Sequence, residues 1–164
     1  MKRLVLMRHA KSSWSNPVDG DHARPLNARG QRSAKALGDW LRAKNVTIDQ
    51  ALVSTATRTR ETFEALGVEC DVNYLDRLYH AGAHDMRAAL ATATGDTVLM
   101  LGHNPGIAWF AHDLVATPPD HPRFDDYPTC ATLVARFDVP HWHDLRPGRG
   151  EVEAFVIPRE LLGE

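Results

Sequence analysis

Two arginines and two histidines of this 164-residue chain stand where they could act together on a phosphate group. Arg8 and His9 directly follow one short apolar run, His103 closely follows another, and Arg58 comes soon after a third. An arginine guanidinium offers a planar fork of hydrogen-bond donors to an oxyanion, whereas a neutral histidine offers a nucleophilic or basic ring nitrogen. These residue types are therefore suited to holding a phosphoryl group and reacting with it.

The segments that must position these side chains alternate between apolar runs and stretches of helical periodicity. Strands are predicted over residues 4–7, 48–53, 68–75, 97–101, 131–137 and 152–157, and helices over about 27–44, 57–66, 85–94 and 105–115. Asn27 is the expected N-cap of the first helix, and Gly67 the expected end of the second. This alternation predicts an α/β fold, a three-layer α/β/α sandwich with a mainly parallel sheet. The last two strands have no helix between them and could pair antiparallel at one edge.

The remaining segments are predicted to be loops within one domain. Residues 11–26 hold Pro17, Gly20 and Pro25 among polar side chains, and residues 117–128 contain four prolines. No internal repeat, low-complexity tract or linker divides the sequence. We therefore expect a single domain over residues 1–164, with enough length for a core of its own.

The predicted strand ends explain how distant residues could form one site. The carboxyl ends of parallel strands meet at one edge of a sheet, and open α/β sheets bind their ligands there. The first strand ends at Arg8 and His9, the second ends shortly before Arg58, and the fourth ends just before His103. Together these side chains would form an electropositive pocket, and the amino ends of nearby helices also favour anions. The convergence predicts a phosphate site.

The composition narrows the possible function classes. A formal net charge of −2 argues against a general nucleic-acid or membrane-surface binder, which would carry a basic excess. No apolar stretch approaches the roughly 18 residues of a membrane span, and no signal-peptide pattern precedes the first strand. Cys70 and Cys130 form no C-x-x-C motif and are expected as reduced core residues. These features predict a cytoplasmic protein.

Three motifs, in this order, resemble those of the histidine phosphatase superfamily, which has the phosphoglycerate-mutase-like fold. They are Arg8-His9-Ala10, Ser54-x-x-x-Arg58-x-x-x-Thr62 and Gly102-His103-Asn104-Pro105-Gly106. The small size of the chain is similar to that of the SixA-type phosphohistidine phosphatases in particular. The same holds for Asp21-x-x-Arg24-Pro25-Leu26 and for Pro128-Thr129 before a strand. The resemblance covers nearly the whole chain.

This resemblance implies a reaction through a covalent intermediate. His9 would attack phosphorus and carry the phosphoryl group, while Arg8, Arg58 and His103 would hold the phosphoryl oxygens. Asn104 is included with them as a phosphate-binding residue. A nucleophilic histidine must be neutral and fixed in one tautomer, commonly by a hydrogen bond from its other ring nitrogen to a backbone carbonyl. Because phosphoryl transfer needs mainly positioning and charge stabilisation, we expect neither a cofactor nor a metal ion.

The chain departs from the family pattern where a proton donor is expected. Larger relatives carry a glutamate after the third strand that protonates the leaving oxygen, and the aligned position here is Arg77. Asp76 or His80 could substitute, or the reaction has no such donor. In the loop after the first strand, mutase-like relatives have an asparagine where Ser15 falls, and Asn16 comes one residue later. A phosphate contact from that loop stays open.

The missing acid bears on the substrate. The ring nitrogen of a phosphohistidine can already carry a proton, so a site without an acid favours it over an alkyl phosphate. We therefore expect a phosphorylated protein of the histidine phosphotransfer type as the partner, and neither nucleic acid nor membrane. The alternatives are a small phosphomonoester as substrate, or a non-catalytic phosphate-binding domain of the same fold. A mutase would need shielding insertions that this chain is too short to carry.

Other residues have ordinary explanations. His80 and His84, like His141 and His143, are spaced as pairs that could bind zinc, but neither pair has a third ligand nearby. They are expected to be surface histidines. The four tryptophans are expected in the core or in a lid. Arg24 could either line the mouth of the pocket or cap a turn.

Overall fold

The strands and helices follow one another much as the sequence predicts. The computed structural model describes residues 1–15 and 19–164. The strands are β1 (Lys2–Arg8), β2 (Gln50–Ser54), β3 (Asp71–Leu75), β4 (Thr97–Gly102), β5 (Thr132–Phe137) and β6 (Glu151–Val156). The helices are α1 (Ala28–Ala43), α2 (Thr57–Leu66), α3 (Ala83–Leu90), α4 (Gly106–Leu114) and α5 (Pro158–Leu162). Asn16 and Pro17 of the first predicted loop lie outside the described residues.

All six strands form one mixed sheet in the order β3-β2-β4-β1-β5-β6. The four strands from β3 to β1 pair in parallel, whereas β5 pairs antiparallel with both β1 and β6. The predicted α/β fold with an antiparallel edge is therefore confirmed. Because β2, β4 and β1 are neighbours, their carboxyl ends lie side by side at one edge of the sheet.

Helices cover both faces of the sheet. The alternating side chains of β1 show the two layers: Leu4 and Leu6 pack with α3 and α4, whereas Val5 and Met7 pack with α1, α2 and α5. None of these four side chains has solvent exposure. Burial of one such side chain contributes about 1.5–3 kcal/mol. The strand that leads into His9 is therefore fixed from both sides.

Several helix ends are where capping chemistry predicts them. The side-chain oxygen of Asn27 accepts the backbone N–H of Gly30 at 2.8 Å, which caps α1. Gly67 ends α2 with a φ of 71°, in the left-handed region that favours glycine. Among the described residues, no helix is long and apolar enough to cross a membrane.

Several boundaries differ from the prediction, among them those of α3 and β3. The α3 helix begins two residues early, because the carboxylate of Asp85 accepts the N–H of Gly82 at 3.0 Å and so lies inside the first turn. It ends at Leu90, where the hydroxyl of Thr92 donates to the carbonyl of Ala89 at 2.7 Å. The β3 strand begins later than predicted, at Asp71. The short α5 helix was not predicted, since five residues do not reveal a helical period.

Candidate active site

The carboxyl ends of β1, β4 and β2 bring together the four residues to which the sequence assigns the chemistry. Arg8 ends β1 and His9 follows it, His103 follows β4, and Arg58 lies in the first turn of α2 after β2. The exposed fraction of His9, of Arg58 and of His103 is 6 % each. The ring centroids of His9 and His103 are 5.2 Å apart. These groups therefore share one buried pocket.

The imidazole of His9 is held neutral and in one orientation. Burial, followed by the positive charges of its neighbours, lowers the pKa of His9 well below its usual value, against the opposing effect of its hydrogen bond to Ala10. That bond joins Nδ1 to the carbonyl oxygen of Ala10 at 2.7 Å. Because a carbonyl only accepts, the ring proton is on Nδ1 and Nε2 keeps its lone pair. This is the geometry expected of a nucleophilic histidine.

The backbone around His9 is fixed from three directions. The N–H of His9 donates to the carbonyl of Gly102 at 3.1 Å, and its carbonyl accepts the N–H of Cys130 at 2.9 Å. The hydroxyl of Thr62 on α2 accepts the N–H of Ala10 at 3.0 Å. That hydroxyl in turn donates to the carbonyl of Arg58 at 2.7 Å, which links the segments carrying two of the predicted site residues.

The hydroxyl of Ser54 orients the ring of His103. The Ser54 hydroxyl oxygen lies 2.8 Å from Nε2 of His103 and accepts the backbone N–H of Ala56 at 3.3 Å. With that N–H as its donor, the hydroxyl can give its own hydrogen to Nε2, and in this tautomer the ring proton is on Nδ1. Burial, followed by the charge of Arg58, lowers the pKa of His103 from 6.5 to about 3, so the ring is neutral.

The two arginines are anchored by their terminal nitrogens. Nη1 of Arg8 donates to the carbonyl of Tyr127 at 3.2 Å. Nη1 of Arg58 donates to the backbone carbonyl of Asp21 at 2.8 Å, and Nη2 contacts the Asp21 carboxylate at 3.1 Å. In each guanidinium the Nε–H is left for another acceptor.

Unpartnered buried polar atoms single out this pocket. Within residues 1–15 and 19–164, just three side-chain nitrogen or oxygen atoms are fully buried without a hydrogen-bond partner: Nε of Arg8, Nε of Arg58 and Nδ1 of His103. All three belong to predicted site residues. Buried polar groups are normally satisfied, because an unpaired one costs about 1–3 kcal/mol. Three such donors beside a neutral His9 form a site complementary to an anion with several oxygens.

Sequence reasoning missed the role of Asp21. Besides Arg58, its carboxylate accepts hydrogen bonds from the hydroxyl of Tyr79 and from Nε of Arg24, the latter at 3.0 Å. The Tyr79 bond first, then the two arginines, hold the pKa of Asp21 far below its usual value. The signal was present in the motif Asp21-x-x-Arg24, but nothing local to that loop points to Arg58. Arg24, left open between two roles, is buried and also donates to Ser12 at 2.6 Å.

The pocket opens into a cavity of about 340 Å³. Its lining includes Asp21, Arg58, Tyr79, His80, His103 and Trp109. Of the two predicted proton donors, His80 lines this cavity, whereas Asp76 does not and instead accepts the hydroxyl of Thr55 at 2.7 Å. Arg77 reaches away to Thr92. Only His80 therefore stays a candidate donor on geometric grounds.

The side-chain amide of Asn104 is occupied by contacts within the protein. Its side-chain amide donates to the carbonyls of Asp126 and Tyr127 at 2.8 and 3.0 Å. Its oxygen lies 3.3 Å from the N–H of Ala108. Because both amide hydrogens are engaged, the side chain ties α4 to the segment before β5. Asn104 also lines the active-site cavity, and its role in phosphate binding stays a prediction.

The remaining predicted residues have varied positions. Trp142 is 2 % exposed and belongs to the core, whereas Trp109 and Trp14 are 59 % and 72 % exposed and lie outside it. The rings of His141 and His143 stack on each other, with centroids 5.1 Å apart. Among the described residues, no three or more His, Cys, Asp or Glu side chains are grouped so that they could hold a metal ion.

Comparison with known proteins identifies the family. The model of the histidine phosphatase superfamily (branch 1) matches residues 4–81. An uncharacterised protein of Mycobacterium tuberculosis is 35 % identical over 161 residues, covering 93 % of this chain and all of that protein. A Nakamurella multipartitia protein assigned as a phosphohistidine phosphatase SixA superposes with a TM-score of 0.80 at 33 % identity, over 96 % of each chain. A second such protein, from Agrobacterium tumefaciens, gives a TM-score of 0.79 at 27 % identity over 96 % and 98 % of the two chains. The chain therefore belongs to the histidine phosphatase superfamily and is a phosphatase of the SixA type.

Proposed function

We propose that this protein hydrolyses phosphohistidine in a phosphorylated protein, through a covalent phosphohistidine formed on His9. The observation that carries the proposal is the set of three buried, unpartnered N–H groups of Arg8, Arg58 and His103 beside the lone pair of His9. Together they supply a nucleophile and three donors to the phosphoryl oxygens. A unit charge pair at about 4 Å contributes roughly 4 kcal/mol at an effective dielectric constant of about 20, so the two guanidinium groups provide most of the stabilisation.

Each step of the proposed reaction follows from these positions. Nε2 of His9 attacks phosphorus in line with the bond from phosphorus to the substrate nitrogen. That bond breaks, and the substrate histidine leaves as an imidazole that retains its proton. Water then attacks the phosphoryl group on His9, which releases inorganic phosphate and restores the neutral ring. The loose transition state of phosphoryl transfer requires little else from the protein.

The choice of phosphohistidine over an alkyl phosphate rests on the lack of an acid. Asp21 is the one carboxylate among the described residues that line the cavity, and its lowered pKa keeps it ionised, so it cannot donate a proton. General acid catalysis contributes roughly 10²–10⁴-fold when an alkoxide leaves. Similar proteins assigned as phosphohistidine phosphatases support the same choice.

Metal independence is part of the proposal. Two arginines supply the positive charge that a metal ion would supply elsewhere, and the described residues hold no grouped ligand set. Activity in excess EDTA should equal activity without it. A loss of activity that magnesium or zinc restores would reject metal independence. The cytoplasmic setting and the single domain over residues 1–164 also stay predictions.

A small-molecule phosphomonoesterase is the second candidate, and His80 favours it. A histidine on the cavity wall could protonate an alkoxide. A non-catalytic domain would have no need of a neutral, oriented His9.

One experiment separates these functions. We would measure kcat/KM for a phosphorylated histidine phosphotransfer protein and for an alkyl phosphate, in the wild type, His9→Ala, His80→Gln and Asp76→Asn. We expect the phosphoprotein to be preferred by about 10²-fold or more, His9→Ala to be inactive and to trap no phosphate, and the other variants to change the phosphoprotein reaction little. A preference for the alkyl ester that His80→Gln abolishes would establish the phosphomonoesterase instead.

A further inference from the structure

A second and larger cavity, of about 630 Å³, has a strongly basic wall. Four of its lining residues are cationic, Lys11, Arg29, Arg123 and Arg159, and Glu164 is the one acidic residue among the described lining. We name this the basic cavity. Because the chain as a whole carries a formal charge of −2, this local excess of positive charge does not follow from the overall composition.

The basic cavity lies at the edge of the sheet that also carries the active site. The β6 strand is parallel to β1, so Arg159, just after β6, is at the same edge as His9. Lys11 is two residues from His9, a separation that the chain spans in at most about 7 Å. Its carbonyl accepts the N–H of Asn27 at 3.1 Å, which brings the start of α1, with Arg29, to this edge.

The ion pairs within the basic cavity are exposed and replaceable. Nη2 of Arg29 contacts the carboxylate of Glu164 at 2.6 Å, and the exposed fractions of these two side chains are 53 % and 37 %. Arg123 pairs with Asp126, and both are also largely exposed. Ion pairs in water are weak, because solvent screens them. An incoming carboxylate can therefore replace Glu164 on Arg29.

We propose that the basic cavity docks an acidic segment of the phosphoprotein substrate while its phosphohistidine occupies the active site, an inference that rests on the proposed function. A standard protein interface covers on the order of 800 Å² on each partner. A protein surface that presents a phosphohistidine to His9 must therefore also cover the neighbouring Lys11. Several cations spread around an open cavity suit several carboxylates. Such complementarity acts mainly on the rate of encounter and on its salt dependence.

The test compares charge removal at the two edges of the sheet. The substrates are a phosphorylated histidine phosphotransfer protein with acidic residues beside its phosphohistidine, and the phosphoramidate ion as a small N–P compound. The variants are Lys11→Gln/Arg159→Gln in the basic cavity and the matched control Arg146→Gln/Arg149→Gln near Asp138, at the opposite edge. Glu164→Gln is added because it should act with the opposite sign.

We expect Lys11→Gln/Arg159→Gln to lower kcat/KM for the phosphoprotein about 5- to 10-fold at low salt, mainly through KM. The difference should disappear near 1 M salt, where the screening length is about 3 Å. Glu164→Gln should raise kcat/KM for the phosphoprotein, and no variant should change phosphoramidate hydrolysis, which also shows that each variant is folded.

Two results would overturn the inference, and they differ. If the wild type hydrolyses the phosphoprotein but the cavity variant matches the opposite-edge control, docking is wrong and the proposed function stands. If the wild type hydrolyses phosphoramidate but leaves the phosphoprotein intact, the protein substrate is wrong and docking is wrong with it.

Discussion

The two arginines of the active site belong to walls of different construction. Arg8 lies beside His9 in a wall held by main-chain atoms, since its anchor is the carbonyl of Tyr127. Arg58 also donates to a main-chain carbonyl, that of Asp21, but its wall depends in addition on the Asp21 carboxylate. This carboxylate is 45 % exposed and is shared among Arg58, Arg24 and Tyr79. The wall with Arg8 has its anchor in the main chain alone, whereas the wall with Arg58 also contains one partly exposed carboxylate that can move without the backbone.

The two walls therefore have different tasks: one positions the nucleophile, and the other binds the anion. The nucleophile needs a fixed position and a fixed tautomer, because misplacement by about 1 Å can reduce the rate about 10²-fold. The wall with Asp21 already carries a negative charge on Arg58, so a phosphoryl group that binds there must share that guanidinium with the carboxylate. The wall with Arg8 and His9 is therefore preorganised. In the wall with Arg58, the charge of Asp21 lowers the strength with which an anion is held.

Of the two arginines, Arg8 should have the larger effect when it is removed. Arg8→Gln should lower kcat/KM for the phosphoprotein by about 10³-fold, the equivalent of roughly 4 kcal/mol. Arg58→Gln should cost less, about 10²-fold, because Asp21 already offsets part of the Arg58 charge. Steady-state kinetics measures both, and Arg60→Gln, on the exposed side of α2, is the control. Equal losses for Arg8→Gln and Arg58→Gln would show that the two walls do not differ in this way.

As the pH falls, the buried histidines should lose their contribution to stability before Asp21 does. Below pH 6.5 the unfolded chain binds protons at His9 and His103, whereas the folded chain does not, because the pKa of each is lowered by folding. The free energy of unfolding therefore falls as pH falls. For His103 this window runs from 6.5 down to about 3. For His103 the loss is about 1.4 kcal/mol per pH unit, or roughly 2 kcal/mol between pH 6.5 and 5, and His9 acts in the same direction. Asp21, with its lowered pKa, loses its contribution only below its usual value of 3.8.

Urea unfolding at pH 7 and pH 5 tests this order. In His103→Gln the difference between the two pH values should shrink by roughly 2 kcal/mol, because glutamine does not titrate. Asp21→Asn and the exposed control His84→Gln should leave that difference as in the wild type. An unchanged difference in His103→Gln would mean that this buried ring is not held neutral.

Removal of the Asp21 charge should have the smallest effect, with the opposite sign. Asp21→Asn should tighten inorganic phosphate binding about 5-fold, because a partly exposed carboxylate near a bound anion costs on the order of 1 kcal/mol. Product inhibition in wild type and variant measures the change. Tyr79→Phe removes a hydrogen bond but keeps the charge, so it should not tighten phosphate binding. Weaker phosphate binding in Asp21→Asn would mean that the carboxylate mainly positions Arg58.

The preorganised wall was predictable from the sequence, because local chemistry specifies it. A buried strand that ends in Arg8 and His9 can be recognised within nine residues, and the three strand ends meet because the connections between parallel strands place them so. Asn27 and Gly67 mark the ends of helices through short-range hydrogen bonds and backbone conformation. In these cases the residues that allow the prediction lie within or next to the strand or helix that they predict.

The carboxylate wall was not predictable, because its contacts are long-range and its residues are ordinary in their own segments. Asp21 and Arg58 are 37 residues apart, and Asp21 and Tyr79 are 58 apart. Nothing in a polar loop indicates which distant arginine its aspartate meets. The hydrogen bonds of the Asn104 amide could not be predicted for the same reason. They go to carbonyl groups of the segment before β5, which is distant in the sequence.

Two glycines at helix starts set the spacing of both walls. A Cβ atom on Gly30 would lie 2.0 Å from the carbonyl oxygen of Lys11, and one on Gly106 would lie 1.9 Å from that of Ala81, which lines the active-site cavity. Neither glycine borders that cavity, yet one added methyl group at either position must push backbone that holds the pocket. A substitution at either position should therefore disturb the active site although neither residue meets the substrate. A directed-evolution library restricted to pocket-lining positions would leave out these two positions, where any side chain meets backbone atoms that hold the pocket.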